Sequence, residues 1–172
     1  MREYIRSNRL LIIMLGSILY FNPAAIGQSP NNASKDDKTI EIENLIRAKQ
    51  FVFVAQSATP LSGRFINLTS VYDVRVSNDT ILSELPYFGR AFVAPMNPSE
   101  GPLNFTSTKF SYSSNARKKG GWDITIKPQD TRDVRQLFLS VSEKGYASLQ
   151  VTSNNRQPIN FSGYVTSREK FR

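Results

Sequence analysis

Ser167 and Lys170 stand three apart in Ser167-Arg-Glu-Lys170, the spacing by which Ser/Lys acyl transferases set a nucleophile beside a lysine. That chemistry needs the serine at the start of a buried helix, so that the lysine loses its proton. It also needs companion Ser-Asp-Asn or Lys-Thr-Gly motifs, and the chain has neither. The spacing is therefore read as coincidence. The carboxylates promise no more. Glu41 and Glu43 are two apart on an expected helix and face different ways. An enzyme here would need two of Asp73, Glu84, Asp123 and Glu143 to converge in a cleft, and strand alternation turns Asp73 and Asp123 away from the core. Asp130 and Asp133 flank Arg132 in an expected turn, where all three charges should be solvated. With no His and no Cys, the usual zinc, haem and iron–sulfur ligands, disulfides, thiol catalysis and histidine triads are excluded. No glycine-rich loop has phosphate-cradling spacing, and no run of oxygen ligands resembles a calcium loop. The expectation is a protein that is not an enzyme and uses no cofactor or metal.

Binding chemistry has better candidates. In Leu85-Pro86-Tyr87-Phe88-Gly89-Arg90, Pro86 fixes its own φ and keeps Leu85 extended. Such a turn presents Tyr87, Phe88 and Arg90 as an aromatic-plus-cation surface, or else plugs the end of a core with its rings. Arg117-Lys118-Lys119-Gly120-Gly121-Trp122 places three cations at an expected hairpin tip. Arg117, Lys118 and Lys119 suit an acidic headgroup or an anionic glycan, and equally an ordinary solvated tip. Tyr146 and Tyr164 alternate away from their apolar neighbours and should lie on outer faces. The five Asn-x-Ser/Thr sequons, at Asn32, Asn67, Asn78, Asn104 and Asn160, are compositional in a chain this rich in Asn, Ser and Thr.

The elements that must position these residues begin after an address. Arg2, Arg6 and Arg9 precede an uncharged Leu10–Phe21 stretch, then Asn22-Pro23 and the small residues Ala25 and Gly27. This is the layout of a secretory signal peptide over residues 1–27. Twelve helical residues span about 18 Å, short of a ~30 Å hydrocarbon core, so no transmembrane span is expected after cleavage. Without a cysteine, conventional lipoprotein acylation is excluded. Cleavage after Gly27 removes Arg2, Arg6, Arg9 and Glu3, which lowers the formal charge from +8 to +6. An exported basic protein meets envelope polymers, membrane surfaces or partner proteins rather than nucleic acid. Retention of the segment as an anchor is the alternative to cleavage.

Residues 28–36 read as a flexible leader, with Ser34 and Asp37 as a variant capping box. Ile42, Leu45 and Ile46 then recur at helical spacing, which predicts an amphipathic helix over 37–49. From Phe51 the period becomes two. Phe51-Val-Phe-Val54 is apolar on both faces; Tyr72, Val74 and Val76 alternate with Asp73 and Arg75; Phe110 and Tyr112 share a face with Thr106 and Thr108. Trp122, Ile124 and Ile126 follow, then Leu137, Leu139 and Val141, a Glu143-Lys144-Gly145 turn, and Ala147, Leu149 and Val151. A final Asn154–Pro158 turn leads to Ile159, Phe161 and Val165. About eight strands without crossover helices predict a mainly β fold over 37–168: one antiparallel meander, closed as a barrel or folded as a two-sheet sandwich, with an N-terminal helix over an opening or edge. Residues 169–172 read as a frayed tail.

Phe51-Val-Phe-Val-Ala-Gln, Leu68-Thr-Ser-Val-Tyr, Leu85-Pro-Tyr-Phe-Gly-Arg-Ala91, Gly120-Gly-Trp, Gly145-Tyr-Ala-Ser-Leu and Ser153-Asn-Asn-Arg-Gln-Pro-Ile159 occur in this order. Over roughly 40–168 the chain resembles the exported bacterial family catalogued as domain of unknown function 4251. The resemblance implies an envelope-associated or periplasmic protein and carries no activity or catalytic residues. The leading expectation is a non-enzymatic binding or scaffolding protein. The alternative is a carrier of a small apolar ligand in a barrel cavity, which a core filled by Phe51, Phe53, Trp122, Leu137, Leu139 and Phe161 would oppose.

Overall fold

The computed structural model describes residues 30–92 and 103–171, with side chains from residue 37 onward. The expected signal peptide lies outside the described residues. Among the described residues one helix, α1 (Pro30–Arg47), precedes nine strands: β1 (Phe51–Pro60), β2 (Ile66–Val76), β3 (Ile81–Leu85), β4 (Leu103–Ser107), β5 (Phe110–Ala116), β6 (Trp122–Pro128), β7 (Val134–Val141), β8 (Tyr146–Ser153) and β9 (Ile159–Thr166).

The helix differs from the sequence expectation at both ends. It begins at Pro30, so residues 30–36, expected as a leader, are helical, and Ser34 and Asp37 are interior positions rather than a capping box. Proline suits the first turn, where its missing N–H has no helical partner to lose. The helix stops at Arg47, with Lys49 in the left-handed region at φ 51°. Gln50 N–H donates to Leu45 C=O and Lys49 N–H to Ile46 C=O. These are the two bonds of a Schellman cap, formed without the usual glycine.

All strand pairs are antiparallel, in the order β4-β3-β2-β1-β9-β8-β7-β6-β5. The two outermost strands are one strand bent at Thr108-Lys109: its first half pairs with β3 and its second with β6. The meander therefore returns to itself as a nearly closed barrel, which decides against the sandwich. The bend also moves alternation by one residue. Leu103, Phe105 and Ser107 point inward before it, and Phe110 and Tyr112 after it, while Thr106 and Thr108 are exposed. The expectation that all four share a face fails because one extra residue exchanges the two faces of a strand.

The interior is filled. Phe51, Phe53, Leu137, Leu139 and Phe161 are at most 1% exposed, and Trp122 packs against them. Val52 and Val54 are buried too, as β1, apolar on both faces, required. Most outward positions of the later strands are polar; Ser140, Ser148 and Ser162 are direct cross-strand partners. Ile42 and Ile46 of α1 enter the same core at one end of the barrel. There the Tyr112 hydroxyl donates to Ile46 C=O at 2.9 Å. Among the described residues, no helix is long and apolar enough to cross a membrane.

Candidate binding surfaces

The two candidate surfaces lie at opposite ends of the barrel. The Leu85–Arg90 segment leaves β3 and crosses to the turn between β8 and β9. Ala91 bridges Arg156, Gln157 N–H donates to Arg90 C=O, and Phe92 N–H donates to Asn155 C=O. The two most distinctive stretches of the sequence, with contacts between residues up to 70 positions apart, thus form one structure. Tyr87 is its pin rather than part of an exposed surface. Its hydroxyl lies 2.8 Å from Arg90 C=O and 3.0 Å from Gln157 C=O, its ring stacks under the Arg156 guanidinium, and burial raises its pKa. Arg156 is itself held by Asp133 at 2.6 Å. Phe88 and Arg90 remain exposed. Leu61, Phe65 and Phe92 add to them: each is more than 60% exposed at the same end. Phe65 and Phe92 carried no signal in the sequence, since each sits in an irregular stretch without alternation.

At the helix end, Arg117, Lys118 and Lys119 form the β5–β6 turn, beside the Ser142–Gly145 turn that joins β7 to β8. Arg117 is not a free cation. Its guanidinium donates to Ser140 Oγ and to Val141 C=O, both at 2.9 Å, and lies 3.7 Å from Asp123. Lys118 and Lys119 are exposed. With Gly120, Ser142 and Glu143 these residues line an open depression of about 480 Å³. Next to it, Tyr146 and Tyr164 are direct cross-strand partners on the outer face, 68% and 37% exposed. The outward placing of both rings was legible from alternation; their pairing was not.

The carboxylates are more engaged than expected. Asp130 is the clasp of the β4–β5 bend: its carboxylate accepts from Ser107 Oγ and from the Thr108 and Lys109 N–H groups. These bonds, that from Ser107 foremost, lower its pKa to about 2. Asp130 and Arg132 are exposed, as expected of solvated charges, whereas Asp133 is half-buried and paired to Arg156. Asp73 does point outward, yet it is 1% exposed. It lies against Arg75, whose guanidinium also reaches Glu84 at 3.0 Å and lies 5.4 Å from the Phe171 ring centre. Asp73 and Glu84 therefore do meet, as cross-strand partners, but around a cation and not in a cleft. The hydrogen bond from Arg75 to Asp73 raises the arginine pKa. Phe171 belongs to the segment expected to fray. Instead it folds back on the outer face, and Lys170 reaches Glu41 of α1 at 2.7 Å, lowering the Glu41 pKa. Ser167 accepts from the Lys170 backbone N–H, and the Lys170 ammonium faces Glu41, so the Ser-x-x-Lys spacing is structural. Among the described residues, no cluster of carboxylates is placed to hold a metal ion.

No curated protein is significantly similar to the chain. Among solved structures, the chain superposes on a DUF4251 family protein from Bacteroides eggerthii with a TM-score of 0.59 and 19% identity, covering 80% of this chain and 93% of that one. That likeness speaks for the fold. The family model described as "Domain of unknown function (DUF4251)" matches residues 33–165.

Proposed function

The chain belongs to the DUF4251 family, and from that premise we propose that it is an exported envelope or periplasmic protein that acts by binding or scaffolding, without catalysis. The observation that carries the reading is the division between inside and outside. The barrel interior is packed with large apolar side chains, while Phe65, Phe88, Phe92, Tyr146 and Tyr164 are turned to solvent. Recognition on such a molecule takes place on its outer surface. The filled core speaks against a carrier, which needs a hollow with a few converging polar groups. Export rests on the basic, apolar and small-residue succession of residues 1–27.

The test is the intact mass of the protein recovered from fractionated cells. It should lie in the periplasmic or envelope fraction and begin at Gln28. A protein found in the cytosol with residues 1–27 intact overturns the reading. A catalytic assay panel that turns over any substrate, with loss on substitution of an exposed carboxylate, overturns its non-enzymatic half.

A further inference from the structure

We propose that the outer face running from Lys118 and Lys119 to Tyr146 and Tyr164 binds an acidic saccharide, a sugar polymer bearing carboxylate or phosphate groups. The proposal names the ligand class of the binding function inferred above and rests on that reading.

Four observations converge on this strip. First, the topology makes it continuous. Ser142 N–H donates to Tyr146 C=O at 2.8 Å, Tyr146 pairs with Tyr164, and on the other side Arg117 Nη2 holds Val141 C=O, the residue before Ser142. Basic turn, depression and tyrosine pair are therefore neighbours, although the sequence separates them by up to 47 positions.

Second, the charge is positive but mixed. The two turns carry Arg117, Lys118, Lys119 and Lys144 together with Glu143, with Asp123 next to them at the start of β6, and Asp123 is engaged by Arg117 and Ser140. Lys118, Lys119 and Lys144 are all exposed, so an anionic group can reach them. Third, the Ser142 hydroxyl, on the lining of the depression, is buried without a hydrogen-bond partner. A buried hydroxyl in that condition is costly, and a rotation of the side chain toward the depression would let a ligand hydroxyl relieve it. Fourth, the two tyrosines form an exposed pair whose faces and edges can pack against sugar rings, with hydroxyls at their tips.

The combination selects a saccharide over a bare anion. Inorganic phosphate engages the lysines but leaves the rings unused. Glu143, whose carboxylate packs over the Gly120 backbone, repels a compact anion yet accepts hydrogen bonds from sugar hydroxyls. The close approach at Gly121, where an added Cβ would collide with Val141 C=O, keeps the basic turn against the β7–β8 turn. The depression is thus set by backbone packing and does not depend on the lysines.

Binding of the purified protein to polygalacturonate, neutral dextran, inorganic phosphate and vesicles of phosphatidylglycerol in phosphatidylcholine tests the proposal. Polygalacturonate should bind in a salt-sensitive manner and dextran should not. The double variant K118S/K119S should weaken binding about tenfold or more. Y146S should weaken it about threefold or more with an unchanged melting temperature. K127S/R135S removes the same charge from exposed positions toward the other end and should leave most of the affinity. Equal losses in K118S/K119S and K127S/R135S overturn the proposal in favour of diffuse charge attraction. Unchanged binding in Y146S, or competition by equimolar phosphate, overturns it in favour of a simple anion site. Vesicle binding without polymer binding assigns the strip to lipid headgroups and overturns it as well. A cytosolic location would sink the exported reading and leave these affinities standing, so the two failures are distinguishable.

Discussion

The two ends of the barrel are closed by different means. At the helix end, a continuous element presses Ile42 and Ile46 into the core, and its C-terminal cap is pinned by Tyr112. The docked Ser167–Phe171 segment then ties the helix to the outer wall through Lys170 and Glu41. At the crossover end, closure falls to an irregular segment held by two backbone bonds to the β8–β9 turn and by the Tyr87 hydroxyl. Ile42 and Ile46 are turned inward at the first end, where Ile40 alone of the helix isoleucines is exposed, while Leu61, Phe65, Phe88 and Phe92 are left outside at the second. Stability and exposed apolar surface are thus divided between the ends, and substitutions should separate them.

The largest effect is expected at the helix end. Ile46→Ala removes a side chain that is 1% exposed and should destabilise the fold by about 3 kcal/mol in urea titration. A loss under about 1 kcal/mol would mean that the helix is an accessory and not a plug.

The acid limb of stability should depend on the β4–β5 bend between the ends. Because the Asp130 pKa is lowered to about 2 in the folded protein, its stabilisation is full above the ordinary carboxylate value of about 4 and disappears as pH falls through about 2. Asp130→Asn should therefore reduce stability at neutral pH and flatten the decline between about pH 4 and pH 2. Equal acid slopes in the two proteins would remove Asp130 from the clasp.

At the crossover end, Tyr87→Phe should cost about 1 kcal/mol, the worth of the hydroxyl shared between Arg90 and Gln157 carbonyls. Amide exchange should report the loss locally, in residues 87–92 and 154–157, before it appears in the global transition. Smallest of all, Phe92→Ser should alter stability by less than about 0.5 kcal/mol, because the ring is 67% exposed. A large loss there would show that the exposed rings are part of the closure and blur the contrast between the ends.

Much of the wall was legible in the residues. Ile124, Ile126, Leu137, Leu139 and Val141 alternate so regularly that their strands, turns and inward faces follow from a period of two. Tyr146 and Tyr164 were placed outward by the same rule. Legibility failed where a single residue changes the rule. The bend at Thr108-Lys109 shifts the parity of Phe110 and Tyr112, and the carboxylate that clasps it, Asp130, lies more than twenty positions later. Asp73 was placed on the correct face but not recognised as buried, because it lies against Arg75, which in turn packs on Phe171 at the other end of the chain. The helix start was missed since residues 30–36 carry polar composition without apolar periodicity.

For the candidate surfaces the same distinction holds. The sequence showed which side chains were cationic or aromatic and which way most of them pointed, since charge belongs to the residue and alternation to the local backbone. It could not show that Lys118 and Lys119 neighbour Tyr146 and Tyr164, that Arg117 is occupied, or that Tyr87 is a pin. Those facts depend on register between strands far apart in the chain, and register is settled by the closing of the whole sheet around its core. Composition and local periodicity determined an antiparallel, apolar-cored meander with polar outer faces; the closure of that meander on a bent strand decided what each face can hold.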